Sequence, residues 1–234
     1  MKPGSLPADL PARIDHTVLR PDAAKADVLR VCAEARQYGF TVVFVPPCYV
    51  REAVAALAGS AIRVGIPIGF PHGLQTTGIK VSEAEEAVGC GATVLDMVIN
   101  ISRLKSGDDD IVRADIDQVV RATPQAEHKV IIETCYLTRQ EKLTACRLIL
   151  EAGADYVKTS TGFGPAGATV EDVRLLKQAV AGRAKVKASG GIRDLQSVID
   201  LVAAGADRIG TSASIKIMQE WLAGQPPEPS RQRW

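Results

Sequence analysis

The sequence predicts an α/β fold of the (β/α)₈ TIM-barrel class, with one parallel sheet closed on itself in a single domain. Three observations predict it. Short β-branched runs alternate with longer stretches of helical periodicity, the pattern of parallel strands joined by helical crossovers. The apolar runs number eight, at residues 13–17, 41–45, 63–70, 93–99, 129–134, 156–161, 185–189 and 208–210. Gly39, Gly91, Gly153 and Gly205 each fall about two residues before a run, as glycines ending helices do. Their spacing is a weak internal repeat of roughly two βα units of about 30 residues each. A length of 234 residues is ordinary for one such barrel. The doubly wound open sheet is the alternative architecture. We place the barrel domain at residues 1–223 and read residues 224–234, rich in Pro, Gln and Arg, as a mobile tail.

Polar residues inside the runs are informative, because the side chains of a strand alternate between barrel interior and helix layer. The first run carries Asp15 and Thr17, candidates to support other polar groups by hydrogen bonding. The second and third runs are apolar. In the fourth, Leu95, Met97 and Ile99 share one face, so Asp96 points inward with Val98. The fifth contains a second acid, Glu133, read as a packing or ion-pair residue. Thr138 and Glu141 have the spacing of a capping box, and Leu143, Cys146 and Leu150 continue a helix from it.

The sixth run contains Lys158. Its neighbour Val157 belongs against the helices, which turns Lys158 inward. A lysine buried there loses hydration, which lowers its pKa and leaves an amine able to attack a carbonyl. Gly162–Gly167 matches G-x-G-x-x-G, but helix capping starts only at Thr169 with Asp172, and no acid follows at the ribose-binding distance. The segment reads as a long loop over the site, with Gly162 available to an anion. The seventh run places Lys187 inward, roughly 5 Å from the sixth strand, where a second cation depresses Lys158 further. Lys185 shares the parity of Lys187 and belongs at the solvent-exposed bottom. Leu195, Val198, Ile199 and Val202 then mark a helix. Gly190 and Gly191 end the seventh strand, and Gly210, Thr211 and Ser212 end the eighth. Those two loops, with a helix N-terminus, are the usual phosphate cradle of this fold.

Bulk properties narrow the function classes. The 28 basic and 27 acidic residues nearly cancel, which gives no reason to invoke nucleic acid or an anionic membrane. The five cysteines are odd in number and lack a C-x-x-C spacing, so free thiols in a reducing, cytoplasmic compartment are expected. The three histidines are scattered and suggest no metal. The N-terminus lacks a signal peptide's apolar run, and no apolar stretch is long enough to span a bilayer.

The strings Ile14-Asp15-His16-Thr17, Gly69-Phe70-Pro71-His72-Gly73, Asp96-Met97-Val98-Ile99-Asn100, Val157-Lys158-Thr159-Ser160-Thr161-Gly162-Phe163, Gly167-Ala168-Thr169-Val170-Glu171-Asp172-Val173 and Lys187-Ala188-Ser189-Gly190-Gly191-Ile192-Arg193 together resemble deoxyribose-phosphate aldolases. The match runs in order from Ile14 to Ser212. The resemblance implies a lyase of class I, without metal or other cofactor, often a homodimer, acting in deoxyribonucleotide catabolism. It implies reversible cleavage of 2-deoxy-D-ribose 5-phosphate to acetaldehyde and D-glyceraldehyde 3-phosphate. The Schiff-base lysine falls on Lys158, the proton-transferring lysine on Lys187 and the catalytic aspartate on Asp96. The phosphate positions fall on Gly162, Gly190, Gly191, Gly210 and Ser212. Two positions depart from some members: Val43 stands where they carry a cysteine, and the chain ends in Arg233-Trp234 rather than tyrosine. Three other readings remain: a Schiff-base aldolase for a different phosphorylated aldehyde, a phosphosugar isomerase without covalent chemistry, and a non-catalytic sugar-phosphate-binding module.

Overall fold

Eight strands follow the eight apolar runs in this computed structural model, which describes residues 9–224. They are β1 (Ile14–Thr17), β2 (Val42–Phe44), β3 (Arg63–Ile68), β4 (Val94–Val98), β5 (Glu127–Ile131), β6 (Tyr156–Lys158), β7 (Lys185–Ser189) and β8 (Arg208–Thr211). Each pairs in parallel with the next, and β8 returns to β1, so the sheet is a closed barrel. The helices are α1 (Leu10–Arg13), α2 (Lys25–Tyr38), α3 (Val50–Ala56), α4 (Thr77–Gly89), α5 (Ile101–Lys105), α6 (Asp109–Ala122), α7 (Arg139–Glu151), α8 (Val170–Val180), α9 (Leu195–Ala203) and α10 (Ser214–Ala223). Beyond Gly224, the expected tail lies outside the described residues. No helix among the described residues is long and apolar enough to cross a membrane.

Local chemistry sets the boundaries. At α7, Thr138 Oγ1 accepts from the Glu141 N–H while the Glu141 carboxylate accepts from the Thr138 N–H, the expected box. At α8 only half of the expected exchange is made: Thr169 Oγ1 accepts from the Asp172 N–H, and the Asp172 carboxylate binds Lys142 instead. Gly39 ends α2 in the left-handed conformation, φ 75°, which glycine adopts without a Cβ penalty. The other three spaced glycines also have positive φ. Two strands end three residues short of the sequence expectation. β5 starts earlier and ends at Ile131, so Glu133 lies beyond it in a left-handed turn. β6 is only three residues long and ends at Lys158, the expected continuation to Thr161 being loop.

Alternation along the strands creates two cores of opposite character. Outward side chains such as Leu95, Met97, Val130 and Val157 join the helices in the main apolar core. Inside the barrel, Val42, Phe44 and Val94 form a small apolar cluster. The other side chains there include Asp15, Asp96, Lys129, Lys158 and Lys187, all buried. Barrels of this class normally fill that space with bulky branched residues, so charge here marks the functional interior. Gly65 shows how tightly it is filled: a Cβ there would lie 2.6 Å from Phe44 Cζ. Behind β4, Lys80 of α4 binds Asp115 of α6 at 2.6 Å and donates to the Val98 carbonyl at 3.1 Å, a second buried pair.

Candidate active site

Strand register places the charged side chains before any side-chain conformation is considered. Lys158 lies beside Lys187 across β6 and β7, Asp96 beside Lys129 across β4 and β5, and Lys187 beside Arg208 across β7 and β8. Asp96 Oδ2 accepts from Lys158 Nζ at 2.7 Å and from Lys187 Nζ at 2.6 Å. Lys187 Nζ also lies 2.6 Å from Asp15 Oδ2, and Arg208 binds Asp15 Oδ1 at 2.6 Å. Below them, Lys129 Nζ is 3.6 Å from Asp96 Oδ1 and 2.6 Å from Glu127 Oε1. The Phe44 ring faces Lys187 Nζ, 3.8 Å from ring centroid to nitrogen, a cation–π contact that supports the charged ammonium.

The charges do not balance. Lys129, Lys158, Lys187 and Arg208 face Asp15, Asp96 and Glu127, and Arg63 adds a further cation on Glu127. Excess buried charge is costly, and the least expensive relief is loss of a proton from one amine. Burial and then the Lys187 charge push Lys158 down to about 8, against the opposing pull of Asp96. Burial also works against the Lys187 charge, but Asp15 and Asp96 outweigh it and hold its pKa above the ordinary lysine value. Burial penalises the charge on Asp96 as well, yet the surrounding lysines, Lys158 first, keep its carboxyl below the usual range. Lys129 is pushed down by burial, but it is fully enclosed. Lys158 borders open space. The geometry thus supplies an amine that is partly neutral at neutral pH, an ionised carboxylate on it and a fixed ammonium on the same oxygen. That set can attack a carbonyl and move protons.

A cavity of about 630 Å³ opens above Lys158 at the carboxyl ends of the strands. Gly162, Gly190, Gly191, Gly210 and Ser212, the five expected anion-binding positions, all line it. Gly162, Gly190 and Gly191 have φ of 87°, 86° and 75°, a backbone conformation that glycine adopts without strain and that lets the chain approach a ligand closely. Helix α10 starts two residues after Ser212. Cβ atoms would not fit where the loops meet: one on Gly167 would lie 2.1 Å from the Gly190 carbonyl oxygen.

The sequence expectations meet this geometry unequally. Lys158, Lys187, Asp96 and Asp15 come together, and Lys185 is exposed at the other end of β7. Thr17 lines the cavity, but its hydroxyl donates to the Asp15 carbonyl at 3.0 Å rather than to either lysine. Glu133 makes no ion pair among the described residues; its carboxylate accepts from Thr161. Sequence reading missed Lys129, Arg208 and Glu127. Lys129 sits mid-strand only because β5 begins at Glu127, and the parity of Asp96 applied to that longer strand would have found it.

A family model described as DeoC/LacD family aldolase matches residues 11–220. The deoxyribose-phosphate aldolase of Thermoanaerobacter sp. (strain X514) is 53% identical over 211 residues, 89% of this chain and 95% of its own. The enzyme of that name from Thermococcus gammatolerans is 51% identical over 215 residues, 90% of this chain and 96% of its own. Among solved structures, an aldolase designated QR15 superposes with a TM-score of 0.89 at 45% identity, covering 92% of this chain and 97% of that one. A deoxyribose phosphate aldolase from Aeropyrum pernix, described as a unique tetramer, gives 0.86 at 33% identity, covering 92% of each chain.

Proposed function

Because the chain belongs to the DeoC/LacD family of aldolases, we propose that it cleaves 2-deoxy-D-ribose 5-phosphate reversibly to acetaldehyde and D-glyceraldehyde 3-phosphate through a Schiff base on Lys158. The observation that carries the proposal is the single oxygen, Asp96 Oδ2, shared by Lys158 Nζ and Lys187 Nζ. Neutral Lys158 attacks the C1 aldehyde of the open-chain sugar, and loss of water gives a protonated imine. That imine is an electron sink. Once the C3 hydroxyl loses its proton, the C2–C3 bond breaks, glyceraldehyde 3-phosphate departs and an enamine remains on Lys158. Protonation at C2 and addition of water to the resulting imine release acetaldehyde and restore the amine.

Asp96 is the group placed to shuttle protons, directly or through a water, and Lys187 holds it ionised. Fixed charges in a water-poor interior need no reorganisation as charge develops on the substrate. Gly162, Gly190, Gly191, Gly210 and Ser212 would hold the 5-phosphate, with Asp15 keeping Lys187 in place. The test is turnover of 2-deoxy-D-ribose 5-phosphate: acetaldehyde should appear with the wild type and not with Lys158→Met. Equal turnover by the variant would overturn the assignment.

The same reading includes a homodimer in the cytoplasm. Its five unpaired thiols suit a reducing compartment. Sedimentation velocity should give a dimer; a tetramer, the form described for the Aeropyrum pernix enzyme, would correct it.

A further inference from the structure

Glu133 is a buried carboxylate that the proposed chemistry leaves unused. It follows β5 in the left-handed region, φ 51° and ψ 69°, one of two non-glycine residues with positive φ among those described. A side chain persists there only when surrounding contacts determine it, and such positions gather at functional sites. The contacts are specific. Both carboxylate oxygens accept from the Thr161 N–H at 3.2 Å, and Oε2 also accepts from the Thr161 hydroxyl. Thr161 Oγ1 in turn accepts from the Phe163 N–H at 3.0 Å. Glu133 therefore fixes the residues on both sides of Gly162. The following loop rests on it too: a Cβ on Gly164 would lie 3.1 Å from Glu133 Cδ. The chain from Thr161 to Phe163 is without regular secondary structure, and besides Glu133 the Phe70 ring against Phe163 and the Gly190 backbone beside Gly162 hold it.

We propose that Glu133 is a positioning residue for phosphate recognition, holding the loop after β6 so that Gly162 presents its N–H to the anion. The inference rests on the assignment of Gly162 to the phosphate site. Glu133 does not touch the lysine pair, so its loss weakens the phosphate end of the substrate and spares the chemistry. A misdirected hydrogen bond to a charged group corresponds to roughly tenfold or more in binding.

The test compares Glu133→Ala, Glu133→Gln and Thr161→Val with the wild type, each assayed on 2-deoxyribose 5-phosphate and on unphosphorylated 2-deoxyribose. Glu133→Ala should raise KM for the phosphorylated sugar roughly tenfold or more, while kcat/KM for 2-deoxyribose stays within about twofold. Glu133→Gln keeps an acceptor for the Thr161 N–H and should recover part of the loss. Thr161→Val keeps the Glu133 turn and removes only the hydroxyl that links Glu133 to the Phe163 N–H, so if the alanine variant does not fold it should give a smaller KM rise confined to the phosphorylated sugar. Parallel losses on both sugars, or no loss on either, overturn the proposal. A wild type indifferent to the phosphate would instead remove the phosphate-site reading on which it stands, and thermal melts separate both results from instability.

Discussion

Replacing Lys187 with methionine tests the electrostatic logic of the site. Lys158 Nζ and Lys187 Nζ lie 2.7 and 2.6 Å from one oxygen of Asp96. The two nitrogens are therefore no more than about 5 Å apart, and at an effective dielectric of about 20 they repel by about 3 kcal/mol when both are charged. That is roughly two pKa units. Burial is the larger cause of the low Lys158 value and persists in the variant, so we expect a rise of about one to two units from the wild-type value of about 8. The sign follows from the chemistry: attack needs the neutral amine, which is lost as pH falls below its pKa. At pH 7 about a tenth of Lys158 is neutral in the wild type, and the variant would retain about a tenth to a hundredth of that. The assay is the pH dependence of borohydride trapping with acetaldehyde, run well below the melting temperature. Removing one partner of a buried ion pair costs stability, about 3–5 kcal/mol. A trapping profile whose limb moves from about 8 towards 9 or 10 supports the account. A limb still near 8 with reduced turnover would refute tuning by Lys187 and leave it proton transfer alone.

Other perturbations reach different parts of the structure. Lys80→Met strands Asp115 behind β4, which should cost about 3–5 kcal/mol and lower the melting temperature by roughly 10 °C; Lys80→Met with Asp115→Leu should recover most of it. An additive double variant would show that the pair is not coupled. Gly167→Ala puts a Cβ 2.1 Å from the Gly190 carbonyl oxygen, where backbone cannot yield. KM for the phosphorylated sugar should rise by about tenfold or more, whereas Gly78→Ala in α4, with open space around it, should leave kinetics unchanged. Unchanged KM in Gly167→Ala would show that the packing of the two loops does not shape the phosphate site.

The parts of the molecule that depend on local pattern were readable from sequence. Leu95, Met97 and Ile99 fixed the facing of Asp96, and Val157 fixed that of Lys158, because strand alternation is a short-range rule. Gly39 and the Thr138–Glu141 box marked helix ends for the same reason. What escaped depends on where strands start and stop. β5 reaches back to Glu127 through Glu127-His128-Lys129, a polar stretch that becomes strand because its neighbours β4 and β6 supply hydrogen bonds. Lys129 was thereby hidden. The same shift removed Glu133 from the strand and gave it the turn from which it reaches Thr161. Thr17 shows the converse: its place in the cavity was predictable, but its hydroxyl is taken by its own strand's Asp15 carbonyl. Arg208 stands at the start of its strand, and only closure of the barrel onto β1 brings Asp15 to it.

We propose Lys158 as the nucleophile because burial and a neighbouring cation discharge it. The most direct measurement is peptide mapping by mass spectrometry after borohydride reduction in the presence of acetaldehyde. A single ethylated lysine, Lys158, is expected, with trapping that rises through pH about 8. Ethylation at Lys187 or Lys129, or none at any lysine, would contradict it.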